Sequence, residues 1–212
     1  MFSSLKIRLE NLSSRQEALS EEIDPKRESA LLDFMVRVVP RMLDAERCSV
    51  FILDPENRKA WLKAGTAVSE RGIEVSLKDS VVGRVISSGE AVIINDLHGR
   101  SGAHKNIDAG TGFVTREIIC VPIRSKGLGE VAGAIQVLNK KGGGGFTAED
   151  QGFLEEAGGH LQSIVDSVFL AQEAIGIGKK LISVATSVAI IGFFLGTVGG
   201  SLVMFFSLIG HF

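Results

Sequence analysis

Residues 117–140 read EIICVPIRSKGLGEVAGAIQVLNK, and this stretch decides the fold. Two apolar runs, 117–124 and 131–138, flank a polar connection that carries Gly127 and Gly129. β-branched Ile and Val suit a pleated, half-buried surface, and the glycines suit a tight return, so the segment predicts an antiparallel hairpin. Hairpin-joined strands need no crossover helix, so the sheet they seed is antiparallel.

Working upstream, Asn95 to Gly112 is a polar, glycine-bearing stretch, preceded by a short strand at 91–94. Residues 80–88 place apolar residues at helical spacing, and Gly89 supplies a stop. Residues 48–53 and 60–64 predict a second hairpin around Asp54-Pro55-Glu56-Asn57, with a further strand at 73–77. Before them, Leu31, Leu32, Met35, Val38, Val39 and Met42 recur at helical spacing over 28–44, with Pro40 positioned to kink the end. Leu5, Leu9, Leu12, Leu19 and Ile23 form one further seam, interrupted by Gln16. Downstream, Gly142 to Gly145 is a flexible connection, and Thr147 is a natural N-cap with Asp150 three residues on. Helical signal then runs from Ala148 to about Ile175. Helices flanking a meandering antiparallel sheet give an α+β fold.

The C-terminal run 181–209, LISVATSVAIIGFFLGTVGGSLVMFFSLI, contains no Asp, Glu, Lys, Arg or His. It exceeds the roughly 20 residues needed to cross a bilayer core as a helix. Lys179 and Lys180 precede it, which by the positive-inside rule keeps the N-terminal domain cytoplasmic. The organisation expected is an N-terminal helix over 1–23, a soluble domain with its closing helix over 24–175, and a single-pass membrane anchor over 176–212. Leu154, Ala157, Leu161, Ile164, Val168, Ala171 and Ile175 form a seam with alternating steps of three and four. The same count lands on Ala185, Ala189, Gly192, Gly196 and Gly199, and Gly200 adds a second overlapping GxxxG pair. Small residues let helix backbones approach closely in lipid. The stripe therefore predicts either a homodimer or docking against other subunits of a membrane complex.

Composition excludes some functions. Twenty-three Lys and Arg balance twenty-five Asp and Glu, for a net charge of −2, so no basic footprint for nucleic acid is present. Cys48 and Cys120 sit inside apolar runs and read as buried thiols. Gly142 to Gly145 is followed by Phe-Thr, so it is no phosphate-binding P-loop. His98 and His104, with Asp96 and Asp108, lack the spacing of a metal site, and no catalytic triad or carboxylate pair stands out. The chain is expected to be no enzyme.

The pieces AERCSVFILD, VVGRVISSGEAVIIND, TGFVTREIICVPI and GEVAGAIQVLNK follow one another in the order of a GAF domain, which the region from about Ala45 to Ala157 resembles. GAF domains form a small-molecule sensor fold related to PAS. The resemblance is nearest to the GAF domains of cyclic-nucleotide phosphodiesterases, which carry an Asn-Lys…Phe…Asp-Glu signature. Asn139, Lys140, Phe146 and Asp150 match it, and Gln151 stands in place of the Glu. The resemblance implies an architectural ion pair between Lys140 and Asp150 across the glycine connection. It also implies a pocket between the sheet and a lid formed by residues 95–112. Ile94 and Phe113 are its candidate apolar walls, and Asn95, Asp96 and Thr115 its candidate polar contacts. A small molecule such as a cyclic nucleotide is the implied ligand, with no permanently bound cofactor or metal. Two functions follow: a membrane-anchored sensor that signals through a partner, or a non-catalytic accessory subunit using the fold as an interaction surface. No kinase, cyclase, phosphodiesterase or DNA-binding segment is read, so the output is expected to come from a partner.

Overall fold

The computed structural model describes residues 25–66, 73–97, 108, 112–125 and 129–209. The seam over 5–23, the histidines at 98 and 104, and most of the stretch 95–112 lie outside the described residues.

Helix α1 (Pro25–Met42) is followed by β1 (Ala45–Asp54), β2 (Lys59–Gly65) and β3 (Glu74–Ser76). Helix α2 (Val81–Ser88), β4 (Val92–Ile94), β5 (Ile118–Arg124), β6 (Val131–Lys140) and helix α3 (Ala148–Ile209) complete the order. The strands form one sheet, β3-β2-β1-β6-β5-β4, and every neighbouring pair is antiparallel. The stretch at 117–140 is the hairpin β5–β6, closed by Ser125 N donating to Glu130 O at 2.7 Å. Its two strands pair from Ile118 opposite Leu138 to Arg124 opposite Val131, with a one-residue register shift between Ile123 and Arg124.

Strand alternation sorts side chains to the two faces of the sheet. Cys48, Val50 and Ile52 of β1, Ile119, Val121 and Ile123 of β5, and Ile135 and Val137 of β6 pack in one core. Helix α1 lays Leu32, Val36 and Val39 onto it, a period of three to four that presents one helical face, and Leu43 just past its end continues the row. Leu154, Ala157, Leu161, Ile164 and Val165 of α3 cover the rest. This half of the long seam is therefore consumed by the chain's own sheet, and Ile175 beyond it is exposed. On the other face, Phe51, Leu62, Val75, Cys120 and Ala134 pack against Val82, Val85 and Ile86 of α2. Both cysteines are buried and unpaired, and burial drives both thiols far above their usual pKa.

Local chemistry sets the helix ends. Ser80 caps α2, its hydroxyl accepting from Gly83 N at 2.8 Å, and Gly89 ends it in the left-handed region at φ 70°. Thr147 and Asp150 start α3 reciprocally: Thr147 N donates to Asp150 Oδ2 at 2.8 Å, and Asp150 N donates to Thr147 Oγ1 at 3.3 Å. This is a capping box with Asp in the place of the usual Glu.

The chain divides into two compact units, residues 1–172 and 173–212. In the second, every described side chain from Leu181 to Ile191 is exposed, including Ile182 at 69%. Helix α3 is long and apolar enough to cross a membrane.

Gly133 lies where β6 meets β1, and a β-carbon there would sit 2.3 Å from Phe51 O and 3.0 Å from Val165 Cγ1. Because the obstruction is backbone, Gly133→Ala is expected to destabilise the fold by roughly 2 kcal/mol, as overpacking does. Urea denaturation of the detergent-solubilised chain followed by tryptophan fluorescence checks this, and an unchanged midpoint would contradict it.

Candidate functional site

The face of the sheet that carries α2 also encloses a cavity of about 70 Å³. Arg47, Ser49 and Phe51 line it from β1, alternate residues that share one side of the strand. Gln136 and Leu138 of β6 and Ile118 of β5 extend this floor. Leu62, Ile73 and Val75 close one side, and Ser80, Val81 and Val82 at the start of α2 another. Leu97, Asp108, Phe113 and Thr115 complete the lining. The Arg47 guanidinium lies over the Phe113 ring, 3.8 Å from its centroid. Asp108 is held by Thr115, whose N–H and hydroxyl each donate to one carboxylate oxygen at 2.7 Å.

One buried amide positions the wall that carries Thr115. Asn139, next to last in β6, lies in the left-handed region at φ 55°, a conformation that Asn tolerates better than most residues, and it has no exposed surface. Its Nδ2 donates to Val114 O at 2.8 Å and to Glu46 Oε2 at 3.0 Å. Its Oδ1 accepts from Arg116 N at 2.8 Å and from Glu117 N at 3.2 Å. Both donors and both acceptor positions of the amide are thereby satisfied. Arg116 completes the circuit with an ion pair to Glu46 at 2.6 Å. Burial acts to raise the pKa of Glu46, but hydrogen bonds from Asn139 and Arg116 and the charges of Arg116 and Arg47 outweigh it and hold the carboxyl below its usual range.

The next residue joins β6 to α3. Lys140 Nζ lies 2.6 and 2.5 Å from the two oxygens of Asp150, and Lys140 N donates to Glu117 Oε2 at 2.9 Å. Burial acts to raise the Asp150 pKa, and the Lys140 and Thr147 hydrogen bonds overcome it, with a net fall. Phe146 is buried in the core below this pair. Gln151, where the signature of the resembling domains has Glu, is half-buried on α3 and donates to Glu155 at 2.8 Å.

Of the residues singled out from sequence, Phe113 and Thr115 line the cavity. Asn95 is exposed and bridges elsewhere: its Nδ2 donates to Phe146 O at 3.0 Å, and its Oδ1 accepts from Phe146 N at 2.7 Å. Ile94 packs beside Phe113 against Leu97, Ile118 and Leu138 rather than lining the cavity, and Asp96 is exposed. Asn139, Lys140, Phe146 and Asp150 come together at the junction of β6 and α3. Ala185 and Ala189 are exposed on α3, and Gly192, Gly196, Gly199 and Gly200 lie further along the same helix. Sequence reasoning did not single out Arg47, Ser49 and Gln136 as site residues. Their signal was a polar side chain on the alternate phase of otherwise apolar strands, at 47 and 49 in β1 and 136 in β6.

Comparison with known proteins bears on this arrangement. The family model described as GAF domain matches residues 26–166. A probable 3',5'-cyclic phosphodiesterase of Caenorhabditis elegans is 27% identical over 138 residues, covering 59% of this chain and 18% of that protein. A dual 3',5'-cyclic-AMP and -GMP phosphodiesterase 11A of Takifugu rubripes is 32% identical over 126 residues, covering 54% of this chain and 14% of that protein. The chain thus spans under a fifth of the length of either relative. The GAF domain of an Acinetobacter phosphoenolpyruvate-protein phosphotransferase superposes with a TM-score of 0.54 at 21% identity, over 80% of this chain and 97% of that one.

Two outcomes test the framework around the cavity. Asn139→Ala removes four hydrogen bonds made by one buried amide and is expected to cost roughly 3 kcal/mol in unfolding free energy. Denaturant titration measures it, and a loss under 1 kcal/mol would contradict the network. The folded pKa of Asp150 is depressed, so its stabilisation is complete above the unfolded value of about 3.9 and disappears as pH falls through the folded value. The wild type should therefore exceed Asp150→Asn in stability at pH 7, with the difference shrinking as pH falls below the unfolded value of about 3.9.

Proposed function

This chain belongs to the GAF domain family, and on that premise we propose that it is a membrane-anchored sensor that binds a small molecule and acts through a partner. GAF domains are small-molecule sensory and regulatory modules rather than catalytic ones. The observation that carries the reading is the cavity, which lies on an otherwise apolar sheet face yet presents Arg47, Ser49 and Gln136. Few, well-placed polar groups in an apolar concavity are the mark of a ligand site. The names of the two phosphodiesterase relatives put cyclic nucleotides among the compounds to try.

Anchoring rests on the exposed apolar surface of α3 from Leu181 to Ile191, too extensive for a helix left in water. Lys179 and Lys180 before it favour a cytoplasmic GAF domain. The domain limits that fit are 24–175 for the GAF domain with its closing helix and 176–212 for the anchor. The small-residue stripe through Ala185, Ala189, Gly192, Gly196 and Gly199 supports helix pairing in the bilayer, either in a homodimer or with another subunit. The second partner gives the alternative reading, an accessory subunit in which the fold is an interaction surface.

Membrane fractions from expressing cells should retain the full chain after alkaline carbonate extraction, and recovery in the soluble fraction would remove the anchor. For the sensor, a cell metabolite extract should raise the thermal midpoint of the purified chain, since a ligand that binds only the folded state stabilises it by mass action. No shift, together with stoichiometric co-purification of membrane subunits, would favour the accessory reading.

A further inference from the structure

The polar groups on the cavity floor are all equipped to donate. Ser49 and Gln136 face each other directly in the β1–β6 register, and Arg47 is two residues along β1 on the same side, opposite Leu138. None of the three has a side-chain hydrogen bond or ion pair among the described residues, although all line the cavity and are half-buried. Glu46, the carboxylate next to Arg47 in sequence, is held by Arg116 and Asn139. Arg47 instead meets Phe113 through its face. A guanidinium's N–H groups lie in its plane, so this contact leaves its edge available, and that edge matches the two oxygens of a carboxylate.

Two observations narrow the anion. The cavity of about 70 Å³ falls well below the roughly 300 Å³ at which pockets for drug-sized ligands begin, so a whole nucleotide is disfavoured. The lining also carries a carboxylate, Asp108, whose oxygens already accept from Thr115. A second carboxylate on the ligand would face that charge, whereas an apolar tail would rest on Phe51, Leu62 and Val75.

We propose that the cavity takes a small monocarboxylate, its carboxylate bound by Arg47, Ser49 and Gln136 and its short apolar tail lying on the sheet. This rests on the sensor reading and names the class of ligand for the same site. Phe113 acts as a positioning residue, holding Arg47 edge-on to the ligand.

Calorimetry and thermal shift on the full chain in detergent micelles test it, using sodium butyrate, its neutral twin butyramide, succinate, inorganic phosphate, and cyclic AMP and GMP. Butyrate should bind and raise the midpoint, while butyramide and succinate should bind at least about 10-fold more weakly. Arg47→Gln should weaken butyrate roughly 50-fold and Arg47→Lys about 10-fold, because Lys lacks the fork. Should Arg47→Gln fail to fold, Gln136→Leu and Ser49→Ala still report, each with an expected loss of about 5-fold. Equal binding of butyrate and butyramide overturns the inference, as does stabilisation by phosphate without butyrate. Cyclic nucleotides binding where butyrate does not overturns it too, and leaves the sensor reading standing. Silence of this whole set and of a metabolite extract overturns both.

Discussion

A single buried amide, that of Asn139, ties together the end of β6, the start of β1 and the segment that leads into β5. It links the end of β6 to Glu46 at the start of β1 and to the backbone of residues 114, 116 and 117. A buried polar group is costly when any of its hydrogen bonds is missing and specific when all are made. All are made here, so the approach to β5 has one favoured position. Because Phe113 and Thr115 flank the tethered carbonyl of Val114, the cavity wall inherits its place from this residue. The left-handed backbone at 139 matters as well, since it turns the chain out of β6 and directs the amide inward.

The sheet divides its work by face. One face is covered by α1 and α3 with aliphatic side chains and contains the larger core. Among the described residues, the other is packed by the short α2 and a mixed lining, and this face contains the cavity. Strand alternation alone produces the division: Cys48 and Val50 stabilise while Arg47 and Ser49, their immediate neighbours, face the cavity. Lys140 and Asp150 then fix the start of α3 to the end of β6, so the covering helix and the strand that carries Gln136 are joined by an ion pair.

Periodicity made the architecture legible. The hairpin at 117–140, the capped helix at 81–88 and the Thr147–Asp150 start of α3 each follow from local patterns that tertiary contacts reinforce rather than oppose. Strand ends were harder. β1 begins at Ala45 and β6 reaches Lys140, because polar ends such as Glu46 and Asn139 pair with partners distant in sequence. The cavity was less legible for the same reason. That Ser49 faces Gln136 is a matter of register, and register is set by pairing between strands more than eighty residues apart. Asn95 shows the converse. An Asn-Asp pair after a strand suits a ligand contact or a turn equally, and only the fold shows its amide paired to the Phe146 backbone.

The connection from β6 to α3 has an unusual stereochemical property. Gly142, Gly143, Gly144 and Gly145 all have positive φ, between 71° and 95°. At the first three, a β-carbon would meet no atom within 4 Å, so the barrier to an ordinary side chain is torsional and not a lack of room. Residues of the opposite chirality have the opposite preference. In a chemically assembled chain, D-alanine would occupy those three positions without torsional penalty and would stiffen a bend that L-residues strain to adopt. The bend is thus specified by handedness, and among encoded residues achiral glycine is the one that adopts it without strain.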